Sequence, residues 1–181
     1  MGYTHYWTLK KNDPIRFRTA VNLFKVCLDL IPKTITTDVF DRKKEEWVRK
    51  RISNKLHGGN GLGKPTITDT TIRFNGNRKW GLDHETFRIS LDDFNEGWVT
   101  DDGYVEDFCK TAEKPYDLAV CLCLLCFKAV YEDDFEYSSD GVTRESIKNP
   151  KNLKYWKSIG WEPVIEDGWK KAYKIFDKVW V

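Results

Sequence analysis

Apolar positions along this chain recur at two spacings, every three to four residues and every second residue, and their succession predicts an α+β domain. Residues 3–9 are short and β-prone and predict a first strand. Asn12-Asp13-Pro14 reads as a helix start, with Asp13 as the cap and Pro14 in the first turn. Ile15, Val21, Phe24, Leu28 and Ile31 then keep one helical face until Pro32. A second, strongly charged helix is expected over about 38–56, with Val48, Ile52 and Leu56 on its inner side. Residues 57–65 (HGGNGLGKP) form the clearest loop, and 66–74 and 86–91 alternate as an antiparallel pair with one solvated face. The acidic stretch 92–107 reads as loop. From Pro115 to Tyr131 the chain is apolar nearly all round, which predicts a buried central helix. Residues 135–139 predict a last strand, and 166–179 a final helix using Trp169, Tyr173 and Phe176. The expected architecture is a small antiparallel sheet packed around that buried helix (about 115–131), with additional outer helices, as a single domain over 1–181.

Composition narrows the function classes. With 40% apolar and 32% charged residues, the 181-residue chain is globular in composition. No apolar run approaches the roughly 20 residues of a membrane span, and the N-terminus lacks the basic-then-apolar layout of a signal peptide. Gly2 suggests myristoylation, but Tyr6 stands where that motif wants Ser or Thr. These features predict a cytoplasmic protein with no membrane partner. The five cysteines, an odd number at apolar positions, read as reduced thiols. Cys123 and Cys126 spell CxxC, but deep within an apolar helix the pair reads as packing, and neither zinc nor another cofactor is expected from it.

Net charge is +2, too small to argue for nucleic acid. Its distribution is uneven: 41–55 carries seven basic and three acidic residues, 92–107 seven acidic and no basic ones. The plain reading is two solvated faces, and the functional one is a basic helix, 42–55, that binds protein or nucleic acid.

Several motifs bear chemistry. Gly58 to Pro65 nearly spells a phosphate-binding loop, yet Pro65 replaces the metal-binding hydroxyl, and a helix precedes where a strand should. His84-Glu85-Thr86 holds one of the two HxT elements that a two-histidine phosphodiesterase needs, and His5 could face His84 as acid to base. Lys110, Thr111 and Lys114 precede the buried helix, whose end offers free N–H groups and partial positive charge, an arrangement that favours phosphate or carboxylate. The plain alternative is ordinary capping, with Asp117 complementing the dipole. Asp140, at the turn after the last strand, either binds a hydroxyl or simply makes the turn.

Taken together, the opening MGYTHYW, Phe74-Asn75-Gly76, His84-Glu85-Thr86-Phe87, Phe108-Cys109-Lys110-Thr111, Lys114-Pro115-Tyr116-Asp117, Ser138-Ser139-Asp140-Gly141 and Gly168-Trp169 resemble a family of small bacteriophage and bacterial proteins without an assigned activity. The resemblance covers most of the chain, with 38–56 and 143–161 as additions. It implies no reaction. A phage origin implies action in the host cytoplasm, in host takeover or evasion of host immunity.

The leading expectation is a module that binds, and sequesters, a small anionic, nucleotide-like ligand through His5, Trp7, Asn75, His84, Lys110, Thr111, Lys114 and Asp140, with no metal or cofactor. A second copy of the chain is a candidate partner that could complete the pocket. The alternative is a hydrolase of a phosphoester or glycosidic bond, with His84 or Glu85 as base and Lys110 and Lys114 holding the anion.

Overall fold

The computed structural model describes residues 3–41, 43–95 and 99–180. Met1, Gly2 and Arg42, which figure in the motifs above, lie outside them. In chain order the strands are β1 (Thr4–Leu9), β2 (Thr34–Asp41), β3 (Glu46–Ser53), β4 (Thr66–Ile67), β5 (Thr71–Phe74), β6 (Phe87–Ser90), β7 (Val105–Lys110) and β8 (Phe135–Ser139). The helices are α1 (Pro14–Leu30), α2 (Asp117–Tyr131), α3 (Arg144–Lys148), α4 (Pro150–Ser158) and α5 (Asp167–Phe176). The class is α+β with small antiparallel sheets, as the alternating spacings require. Among the described residues no helix is long and apolar enough to cross a membrane.

β1 is the middle strand of the sheet β7-β1-β8, antiparallel to both neighbours. Strand alternation turns His5, Trp7 and Leu9 to the core and leaves Tyr6 exposed on the other face. α2 packs against both α1 and α5. Every residue from Ala119 to Phe127 is buried, which is why no polar stripe exists in this helix. It begins at Asp117 rather than Pro115. Asp13 caps α1 as its sequence predicts, accepting from the Ile15 and Arg16 amides at 3.0 Å each. The sheet β4-β5-β6 joins the same core through Phe24 against Phe74 and Trp7 against Phe87, with ring centroids 5.9 and 4.9 Å apart.

Two expectations are corrected. The charged segment 38–56 is no helix: β2 and β3 form an antiparallel hairpin with Ile35 opposite Ile52 and Val39 opposite Val48. Val48, Ile52 and Leu56 are spaced by four, and residues four apart share a face in a strand as well as in a helix. The β-branched run Thr34-Ile35-Thr36-Thr37 and its cross-strand partners decide for the strand. The hairpin builds a small core of its own from Val39, Ile52 and Leu82. The acidic stretch likewise ends in a strand, β7, where Val105 and Cys109 are buried and Glu106, Phe108 and Lys110 exposed.

Candidate functional site

Three distant segments meet at the start of α2. His5 points inward from β1 and is fully buried, with Nε2 2.7 Å from Asp117 Oδ1. The Thr111 hydroxyl, just beyond β7, donates to the same oxygen. One helical turn after Asp117, the Cys121 thiol donates to Oδ2 at 3.7 Å. Burial, with the adjoining carboxylate, pushes that thiol well above its usual range, so it is no nucleophile as it stands. A Cβ on Gly168 would lie 2.9 Å from Asp117 Oδ2, so the glycine lets the first turn of α5 close over the carboxylate. The His5 ring stands edge-on to Tyr3 and Trp169, centroids 5.1 and 5.5 Å away, and its Nδ1 has no hydrogen-bond partner among the described residues. The α2 N-terminus adds a favourable dipole to the Asp117 carboxylate.

The remaining predicted site residues are dispersed. Trp7 is core. Asn75 is buried and organises a loop, donating to the carbonyls of Gly59 (3.1 Å) and His84 (2.9 Å) and accepting from the amides of Gly76 (2.7 Å) and His84 (3.1 Å). His84 Nδ1 lies 2.8 Å from the Lys110 carbonyl, and Glu85 accepts from the Lys110 amide at 2.8 Å. His5 and His84 therefore serve different partners. Asp140 Oδ2 accepts from the Thr4 amide at 2.9 Å, tying the ends of β1 and β8 together. The two lysines diverge: Lys110 Nζ lies 5.7 Å from the Phe108 ring, whereas Lys114 donates to the Gly81 carbonyl at 3.0 Å and lies over Trp47. His5 and Thr111 thus converge, joined by Asp117, and Lys114 stands at the rim above them.

That rim belongs to a trough along the base of the β2–β3 hairpin. One cleft, about 420 Å³, is lined by Tyr3, Lys114, Asp117, Glu166 and Lys171 among others. The other, about 440 Å³, shares Asn54 and Pro115 with the first. Leu28, Ile31, Leu56 and Ile67 contribute to its apolar wall, while Lys33, Lys55 and Lys64 bring three positive charges against the single acid Asp29. Lys33 is paired with Asp29 at 3.7 Å; neither Lys55 nor Lys64 has an ion-pair partner among the described residues. His57 lies on the same wall, and burial lowers its pKa, favouring the neutral ring. The near-match to a phosphate loop folds back on itself: Gly58 donates to the Leu62 carbonyl at 3.0 Å and Gly61 to that of Gly58 at 2.8 Å. Those amides are consumed internally, and the loop contributes Lys64 to the cleft.

Asp117 and Cys121 escaped the sequence reading as site residues: the first entered only in the plain capping alternative, the second as one of the reduced thiols at apolar positions. Their four-residue spacing on one helix face was the available signal. Compared with protein-family models, with curated protein sequences and with solved structures, the chain matches none.

Proposed function

We propose that the chain binds a small anionic, nucleotide-like ligand in the trough beside the β2–β3 hairpin, with Lys55 and Lys64 on its phosphate. The observation that carries this reading is the apolar-walled cleft of about 440 Å³ rimmed by Lys33, Lys55 and Lys64. Its volume falls in the range of small-molecule sites, and an apolar wall with a few convergent polar groups is their usual construction. The adjoining cleft carries Lys114 and Lys171 against Glu113, Asp117, Glu166 and Asp167, so the positive rim is that of the Lys33, Lys55 and Lys64 cleft alone. Relative to the sequence expectation, the ligand moves from the helix mouth to the neighbouring cleft of Lys55 and Lys64, which Lys114 does not line. Sequestration of a host signalling nucleotide is the physiological role that the phage-like motifs suggest for such a binder.

Thermal-shift screening against mono-, di- and cyclic nucleotides and ADP-ribose derivatives tests the proposal. Ligand at 100 times its Kd adds about 2.7 kcal/mol. Lys55→Ala with Lys64→Ala should remove the shift while leaving the unliganded melting temperature nearly unchanged. A silent panel, or a double variant that binds as the wild type does, refutes it. Recovery of the ligand intact after denaturation marks a binder; recovery of product marks a hydrolase.

A second reading rests on β3, where Arg49, Lys50 and Arg51 are exposed in a row. Such a row favours a nucleic-acid backbone, and affinity for DNA or RNA falling steeply between low and physiological salt would support it.

A further inference from the structure

We infer that His5, Asp117 and Cys121 form a binding site for one divalent transition-metal ion, zinc by the chemistry of its donors, with a fourth position facing the cleft that Asp117 lines. The three residues offer an imidazole nitrogen, a thiol sulfur and a carboxylate oxygen, all within 4.8 Å of one another. Imidazole, thiolate and carboxylate together are zinc's usual donors, and three protein ligands with one open position are the arrangement of reactive zinc centres.

The placement is rigid. Asp117 and Cys121 lie one turn apart on α2, the most completely buried helix, and His5 comes from the middle strand of its sheet. Asp117 Oδ2 and Cys121 Sγ are 3.7 Å apart. A tetrahedral ion with ordinary zinc–oxygen and zinc–sulfur bonds sets that edge at about 3.5 Å. His5 Nε2 and Asp117 Oδ1, at 2.7 Å, stand closer than a metal-bridged pair, whose edge is about 3.3 Å. That contact must open by about 0.6 Å, and the imidazole–thiol edge, within 4.8 Å, must settle at about 3.5 Å, for one ion to bind all three groups.

The cluster by itself leaves polar needs unmet. One buried carboxylate receives a ring N–H, a hydroxyl and a thiol, the last a weak donor, while His5 Nδ1 finds no partner among the described residues. In the metal complex, Cys121 releases its thiol proton to solvent and binds as thiolate. The ring proton that His5 Nε2 gives to Asp117 in the metal-free cluster moves to Nδ1, within the aromatic cage of Tyr3 and Trp169, and Nε2 then offers its lone pair to the ion. The Thr111 hydroxyl remains a donor to the bound carboxylate, the outer support that metal ligands ordinarily have. The ion would enter by the cleft that Tyr3 and Asp117 line, and the fourth position would take water from it.

Cobalt titration of the intact chain after removal of metal by a chelator is the test. The expected result is thiolate-to-cobalt charge-transfer absorption saturating at one equivalent, displaced by one equivalent of zinc. Cys121→Ser should abolish that absorption, whereas Cys109→Ser should retain it. Because Cys121→Ser could fail to fold, zinc-edge X-ray absorption of the wild type gives an independent readout: one sulfur and three lighter ligands are expected. Absence of the charge-transfer band in the wild type, its survival in folded Cys121→Ser, or a zinc shell without sulfur overturns the site.

Discussion

His5 Nε2 and Asp117 Oδ1 are 2.7 Å apart although 112 positions separate the two residues in the chain. The contact pins the middle strand of the β7-β1-β8 sheet to the first residue of the buried helix, which is also that helix's one acidic residue; its other charge, Lys128, stands in the last turn. A group so placed must be matched, and removing one partner strands the other in the core. Asp117→Ala should therefore cost about 3–5 kcal/mol, read as a lower urea midpoint. A loss under about 1 kcal/mol would mean that the pair is not formed in solution.

Gly76 sets a separate, purely steric demand. A Cβ there would stand 2.0 Å from the Leu82 carbonyl oxygen, a backbone atom that no side-chain rotation can move. Gly103, by contrast, has φ +76° with open space around it. Gly76→Ala should cost about 3 kcal/mol or more, through forced backbone displacement. Gly103→Ala should cost about 1–2 kcal/mol, from conformation alone. Equal costs in paired denaturation experiments would refute the distinction.

The contrast between what was legible and what was not follows the range of the interactions. α1 and α2 could be read directly, because Pro14, Asp13 and an unbroken apolar run are local signals. The hairpin β2–β3 was hidden by a four-residue spacing that suits both a strand and a helix, and β7 by the acidic residues before it. Of the site, the sequence exposed His5 and Thr111 but not what joins them. Asp117 looks like any first-turn acid until strand order brings β1 beneath it. Asn75 and His84 looked like ligand groups because nothing local reveals that they bond a loop and a neighbouring strand end.

Two aspartates should make opposite contributions to pH dependence. Arg144 donates to both Asp177 carboxylate oxygens, at 2.9 and 2.7 Å, and holds that carboxyl below its ordinary value of 3.8. A lowered folded pKa gives stability that is present above the unfolded pKa and lost as pH falls through the folded one. Partial desolvation of the carboxyl, the dominant influence, raises Asp107 above 3.8 although the residue as a whole is exposed on β7. Its contribution is present below the unfolded pKa and is lost as pH rises through the folded one. Melting temperatures from pH 2 to 7 should show the deficit of Asp177→Asn shrinking as acid is added. Asp107→Asn should gain on the wild type as pH rises past the Asp107 pKa. A difference independent of pH in either variant would contradict its assignment.

The five thiols should be chemically silent in the folded, metal-free protein. All are buried and none is in a disulfide. Since thiolate is the reactive form, burial acts twice, by blocking access and by raising pKa. Cys109 is pushed up to about 12 by burial, and Cys121 and Cys123 well above their usual range. Cys27 is the exception in direction: the Cys126 thiol donates to its sulfur at 3.8 Å and lowers it, yet its side chain is sealed between α1 and α2. An aromatic disulfide reagent added to native protein should therefore release no chromophore within mixing time. Labelling should follow opening of the fold, speed up as urea is raised, and reach five equivalents in guanidinium. A burst of one equivalent from the native state would show that the α1–α2 seam opens without unfolding, with Cys27 the thiol to identify by mass spectrometry.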